Sequence, residues 1–215
     1  MMIRAYDELY LDSAQNILGH AFDFAVMTLD IAPDFFASVF AASDAAKQFA
    51  AGNPAYVAGI NGCELARLVL ERANVSFPEK EDVMYLDRSP EYWSGWALAF
   101  YQWYTGYSFS EILTAAPLTV ILQMYPRFHE MDLLQFADRM TELMKSSFPE
   151  TRLKMHRENC GLSQSMLAKK ALVPLRQIQL FEQRQRDINK TSALTLLKLS
   201  RALRCRMEDL TEAET

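Results

Sequence analysis

The sequence predicts an all-α protein in two domains: a multi-helix, bundle-like domain over residues 1–147 and a compact module of five short helices over residues 148–215. Three observations predict it. Apolar residues recur three and four apart along most of the chain, the spacing of one helix face. Capping signals, Ser89-Pro90-Glu91, Ser108-Phe109-Ser110-Glu111 and Ser163, stand just ahead of apolar series. No strand–helix alternation, internal repeat or low-complexity tract is present.

Composition sets the outer limits. A chain of 215 residues can bury one large core or two modest ones. Half of it is hydrophobic and 23% is charged, a globular balance that argues against disorder. No apolar run approaches the roughly 18–20 residues needed to span a bilayer. The acidic start MMIRAYDELYLD is unlike a signal peptide, so a cytoplasmic protein without membrane contact is expected. Cys63, Cys160 and Cys205 are odd in number, far apart and free of any Cys-x-x-Cys, which supports neither a disulfide framework nor a zinc site. The net charge of −5 divides unevenly. Residues 1–150 hold 9 basic and 20 acidic side chains, a net of −11, and residues 151–215 hold 13 and 7, a net of +6. Such a split points to a nucleic-acid-binding tail on a body with another task.

In chain order, Asp12-Ser13 is read as an N-cap, followed by Ile17, Ala21, Phe24, Val26 and Met27 at helical spacing. Pro33 ends or restarts that helix, and Phe35, Phe36, Val39 and Phe40 form a short apolar face. Gly52-Asn53-Pro54 is a turn that opens a helix to about Ala73. Gly59 and Gly62 lack a full phosphate-loop fingerprint, so a close helix crossing is expected there. Residues 74–89 form a polar connection in which 83–86 are open between a short strand and no regular structure. Ser89 then caps a helix that carries Trp93, Trp96 and Trp103 with Tyr92, Phe100, Tyr101 and Tyr104; it is apolar nearly all round and should be central. Its tryptophans suit either core or a partner surface. Gly106 ends it, Ser108 and Glu111 form a capping box, and Asp132 caps an amphipathic helix with Leu133, Phe136, Ala137, Met140, Leu143 and Met144. Residues 145–150 are the linker.

Beyond the linker, a first helix stops at Asn159-Cys160-Gly161, and Ser163 caps a second with Leu167, Ala168 and Ala171 facing inward. Leu172-Val173-Pro174 is a turn, and the third helix turns Ile178 and Phe181 inward. A fourth carries Leu194, Leu197, Leu199 and Leu203, and residues 207–210 close the core. The third helix projects Arg and Gln, whose side chains contact guanine and adenine edges bidentately in the major groove.

Residues 152–210 resemble the lambda-repressor-like, XRE-type helix-turn-helix family. The matching pieces are Leu-Lys-x-x-Arg at 153–157, Gly-Leu-Ser-Gln at 161–164, Leu-Ala at 167–168, Ala-x-Val at 171–173, Ile-x-x-x-Glu at 178–182 and Leu-Leu-Lys-Leu-x-x-Ala-Leu at 196–203. The resemblance implies a lambda-repressor-like fold in which Gln164 touches the DNA backbone or an adjacent base. Leu175, Arg176 and Leu180 would face the groove with Gln177 and Gln179 beside them. Arg157 and Glu182 would form a structural salt bridge between the first and third helices, and Arg184, Arg186 and Lys190 would meet phosphates. The chain departs from the family pattern at several places. Arg184 replaces a Gly two residues after the Glu, Leu172 and Arg204 stand where Gly is common, and Pro174 replaces a Ser or Thr cap. Leu175 and Leu180 replace side chains that are often polar.

Nothing in the sequence supports catalysis. His20, His129 and His156 have no ligand partner three or four residues away, and Cys160 has no adjacent His or Lys pattern. Glu79, Glu81 and Asp82 are read as a solvated turn. No catalytic residue, metal or cofactor is expected, and the chain is read as a non-enzyme. The expected function is sequence-specific binding of double-stranded DNA by an XRE-type transcription regulator, a dimeric repressor whose family reads half-sites about one helical turn apart. The N-terminal domain would form the homodimer, sense a small-molecule effector or hold a protein partner. Two alternatives stand beside it: an antitoxin whose N-terminal domain binds a toxin, and a protein-interaction adaptor with a degenerate helix-turn-helix.

Overall fold

The computed structural model describes residues 4–83 and 88–212, so the open reading of 83–86 falls, apart from Val83, outside the described residues. All regular structure among the described residues is helical. The chain divides into two compact units between Ser147 and Phe148. No helix among the described residues is long and apolar enough to cross a membrane.

In the N-terminal unit, a 3-10 turn at Glu8–Tyr10 leads into α1 (Leu11–Asp23). The entry is capped by Asp7, which accepts the Leu9 N–H at 3.0 Å, and not by Asp12 or Ser13, which already lie within the helix. After a π-helical turn at Phe24–Thr28, Pro33 restarts the chain as the first residue of α2 (Pro33–Ala42), and Ser43 caps α3 (Asp44–Ala50). The single helix expected from Pro54 to about Ala73 is two: α4 (Pro54–Val57) and α5 (Gly62–Arg72). Asn61 explains the break. Its side chain accepts the Glu64 N–H at 2.8 Å while Glu64 accepts the Asn61 N–H at 2.9 Å, a capping box that starts a new helix. Then come α6 (Pro90–Thr105), α7 (Phe109–Ala115), α8 (Leu118–Phe128) and α9 (Leu133–Ser147).

The unit is organised by α6, which packs along α1. The two approach so closely that a Cβ on Gly95 would lie 2.5 Å from the Leu18 carbonyl oxygen, and one on Gly19 2.9 Å from the Tyr92 ring. At Gly62 a Cβ would lie 2.4 Å from the His20 Cβ, so this glycine marks the crossing of α5 on α1; Gly59 lies in the turn before α5 and meets only its own neighbours, chiefly Ala55. Ser89 ties the same region together, since its hydroxyl donates to buried Asp23 and accepts the Tyr92 N–H at 2.9 Å. Trp93 sits edge-on to Tyr125 and Phe136, with ring centroids 5.7 and 5.4 Å away, and Trp103 Nε1 donates to the Tyr6 carbonyl at 2.9 Å. Both are buried, so the partner-surface expectation is corrected for Trp93 and Trp103: they are core residues. Trp96 is half-buried. Phe36 and Phe40 reach the interior, where they pack on Phe22, but Phe35 is exposed.

The C-terminal unit comprises α10 (Arg152–Asn159), α11 (Gln164–Ala171), α12 (Leu175–Glu182), α13 (Ala193–Leu203) and 3-10 turns at Ile188–Lys190 and Glu208–Leu210. Leu153, Leu167, Ile178, Phe181, Leu199, Leu203 and Leu210 form its core. Leu194, expected among them, is 61% exposed, and Leu196 takes the inward position. The reason is phase: Leu196, Leu199 and Leu203 stand three and four apart on one face, and Leu194 is two residues out of step.

Candidate nucleic-acid interface

The interface is built on α12, so what fixes that helix comes first. Ser163 Oγ accepts the Met166 N–H at 3.1 Å and starts α11. Leu172 ends it in the left-handed conformation (φ 53°, ψ 45°), which swings the chain through buried Val173 to Pro174. Pro174 precedes α12 without a side-chain cap bond, as expected from the loss of a Ser or Thr there. Ile178 and Phe181 then anchor α12 in the core.

Its C-terminal end is held by polar contacts. Glu182, with a side chain only 3% exposed, accepts Arg157 Nε at 2.6 Å on Oε1 and Arg157 Nη2 at 2.9 Å on Oε2. The same Oε2 accepts Gln164 Nε2 at 2.8 Å. Arg157 also donates to the Leu162 carbonyl at 2.8 Å and to Glu158 at 3.2 Å. Hydrogen bonding to Glu182 raises the Arg157 pKa against the opposing effect of burial, so the guanidinium stays charged. One carboxylate thus joins α10, the start of α11 and the end of α12. Bidentate Arg–carboxylate geometry fixes orientation as well as distance, and it sets the angle at which α12 projects.

Three residues expected at DNA, Arg184, Gln177 and Gln164, also donate hydrogen bonds within the module. Arg184 donates to the Pro149 carbonyl at 2.8 Å and to the Glu150 carbonyl at 3.4 Å, so it latches the segment before α10. Half-buried Gln177 donates to Thr191 Oγ1 at 3.3 Å. Gln164 is likewise engaged, through its Nε2, by Glu182. Leu175 and Arg176 are exposed, and Gln179 and Leu180 are half-buried. Arg186 and Lys190 are exposed in the segment that follows; Arg186 lies 6.0 Å from the Phe181 ring centre, and Lys190 lies 3.4 Å from Asp187.

Helical geometry sorts these side chains. At about 100° per residue, Leu175, Gln179, Gln183, Arg176 and Leu180 fall in that order within an arc of roughly 140°. Ile178, Phe181 and Glu182 occupy the remainder, with Gln177 at its edge. The outward arc therefore has a polar centre, Gln179, Gln183 and Arg176, with a leucine at each margin. Gln183 is exposed and was not among the residues expected to read bases; the same angular count, carried one residue past the helix, is the signal that finds it.

Cys205 behaves as a structural residue. Cys160 and Cys205 are close in space despite their separation in sequence, because Cys160 Sγ donates to the Leu203 carbonyl at 3.4 Å. Burial, then the charges of Asp209 and Cys160, push the Cys205 thiol up to about 11. A thiol so raised is a poor nucleophile at neutral pH.

The comparison with known families matches residues 153–210 to the helix-turn-helix family. Residues 153–210 are a helix-turn-helix domain. It is of the XRE, lambda-repressor-like kind, and DNA binding is what this kind of domain supports. The N-terminal unit matches no family. No curated protein and no solved structure matches the chain.

Proposed function

We propose that this protein is a sequence-specific DNA-binding transcription regulator of the XRE type. It binds double-stranded DNA as a homodimer in the cytoplasm, represses at its own operator, and binds without catalysing a reaction. The observation that carries the reading is the outward arc of α12. Its inner face is fixed by Ile178, Phe181 and the Glu182 contacts, leaving Leu175, Arg176, Gln179 and Gln183 to meet a major groove. The net +6 of residues 151–215 supports attraction to phosphate, and the net −11 of residues 1–150 supports a role for the body away from DNA, in dimerisation or sensing.

The test is enrichment of bound duplexes from a random-sequence library with the full-length protein, followed by anisotropy titration of an enriched and a scrambled duplex at two salt concentrations. Wild type should prefer the enriched duplex, and binding to both should weaken linearly in log–log salt plots. Arg176→Ala should lose roughly 10- to 100-fold of that preference, the usual worth of one bidentate base contact. Equal, weak binding to both duplexes would overturn the reading, and capture of a protein partner on residues 1–147 would then be the next measurement.

A further inference from the structure

We propose that Leu175 and Leu180 are specificity residues that read the C5-methyl groups of pyrimidines in the major groove, so that the α12 footprint favours A·T pairs at its two margins. This inference rests on the DNA-binding reading above and sharpens it.

The two leucines are the apolar members of an otherwise polar outward arc. Leu175 is 39% exposed at the first residue of α12, and Leu180 is half-buried one and a half turns later. Neither belongs to the core cluster of this unit, which draws on Ile178 and Phe181 from the same helix. An isolated exposed leucine carries no message by itself. These two flank Arg176 and Gln179 on the surface that would enter the groove, and there the apolar group a base presents is the C5-methyl of thymine.

The neighbouring polar residues point to the same base pairs. Gln reads adenine through N6 and N7. The thymine paired with that adenine carries its methyl on the same groove floor, beside the place a glutamine must occupy. Gln179 and a marginal leucine can therefore select a single A·T pair together, one through each strand, and Arg176 suits guanine between them. Leu175 and Leu180 are five residues apart, roughly 7.5 Å along the helix axis, on the order of two base-pair steps. The expected half-site has two methyl-bearing pyrimidines about that far apart, around a G·C pair.

A C5-methyl has two sources in DNA, thymine and 5-methylcytosine, and the experiment separates them. Starting from an enriched duplex, each thymine is replaced singly by deoxyuridine, which removes the methyl and leaves the hydrogen bonding intact. At the positions so found, a C·G pair is compared with a 5-methyl-C·G pair. Wild type should lose roughly three- to fivefold in affinity at one or two thymines, the worth of a buried methyl, and no more than a marginal amount elsewhere. Leu180→Ala or Leu175→Ala should bind the thymine and deoxyuridine duplexes equally at its own position; both side chains lie outside the core cluster, which keeps the variants folded, and the deoxyuridine scan needs no variant at all. A gain for 5-methyl-C over C shows that the methyl from either source is read, and thymine-only gains assign the site to thymine. If an enriched duplex is preferred and every deoxyuridine change stays within about 1.5-fold, methyl reading is wrong while DNA binding stands. If no duplex is enriched, both fall.

Discussion

In the N-terminal unit glycine sits where helix backbones must nearly touch, at Gly19, Gly62 and Gly95, whereas in the C-terminal unit three of the four left-handed positions, Leu172, Arg184 and Arg204, carry full side chains. The two units weight steric demands differently. In the body, a side chain is forbidden by a facing backbone, so the sequence gives way and the helices pack tightly around α6. In the module the backbone gives way more often: an L-residue in the left-handed region costs about 1–2 kcal/mol, and the module accepts that cost three times in fewer than 70 residues, at Leu, Arg and Arg, where the described residues of the longer body do so at Asp30 and Asn74, types that tolerate it better. A unit of that size buries proportionally little surface. Its fold therefore leans on a few strong contacts, the Arg157–Glu182–Gln164 set above all. The body's stability is spread over aromatic packing, the module's is concentrated.

That contrast is sharpest at Glu182. In Glu182→Ala, Arg157 keeps the Leu162 carbonyl and Glu158 but loses its buried counter-ion, and Gln164 loses its acceptor. Breaking a buried pair from one side costs about 3–5 kcal/mol, and the retained contacts place this one near 3. Thermal unfolding of the full chain, followed by far-UV circular dichroism, should show the module melting well below its wild-type temperature, with sequence-preferring DNA binding weakened as α12 loses its fixed angle. Glu182→Gln keeps an acceptor and should fall between. A loss under 1 kcal/mol for the alanine variant would show that stability is not concentrated there.

Gly95→Ala probes the other side and separates two forces by sign. Helix propensity alone predicts a gain of about 1 kcal/mol from replacing Gly by Ala in mid-helix. The facing atom is the Leu18 carbonyl oxygen at 2.5 Å, which cannot step aside as a flexible side chain would, so α1 and α6 must separate. Overpacking of this kind costs about 1–3 kcal/mol. All three tryptophans lie on α6, so urea unfolding read by tryptophan fluorescence reports on this unit alone. A lowered midpoint is expected, and a raised one would mean that the close crossing is not a constraint.

What the sequence showed and hid follows the same division. The caps at Ser89, Ser108, Asp132 and Ser163 were legible because capping is local: donor and acceptor lie within four residues of each other. The break before α5 is also local, but Asn61 and Glu64 lie inside an apolar series that masks them. The direction of α6 could not be read. A helix apolar all round has no preferred face, so only the partners of Trp93 and Trp103, which come from elsewhere in the chain, decide that they are core. In the module, family spacing indicated Arg157 with Glu182, and the structure brings them together. The same spacing placed Arg184 and Gln177 at DNA and was silent on the bonds they make within the module. Their partners, Pro149, Glu150 and Thr191, are fixed by the path of the loops, which carries no periodicity.

The smallest effect tests the premise that the module accepts backbone cost. Leu172 is 78% exposed at φ 53°, so Leu172→Gly removes little packing and relieves the left-handed strain. The relief of about 1–2 kcal/mol is offset by about 0.4–1 kcal/mol of added freedom in the unfolded chain. The net is a gain of roughly 0.5–1 kcal/mol, a rise of about 3–6 °C in the melting temperature of a domain this size. Arg184→Gly relieves the same strain at φ 55° but discards both carbonyl contacts, at about 1 kcal/mol or more for charged donors, and should be neutral or slightly destabilising. The pair is measured by calorimetry on the full chain. A rise for Leu172→Gly without one for Arg184→Gly assigns different reasons to two left-handed residues: Leu172 sits in its turn at a net cost, and Arg184 is held in its turn by what its guanidinium reaches. Equal rises would mean that the Arg184 latch contributes nothing, and no rise in either would remove backbone strain from the account of the module's stability.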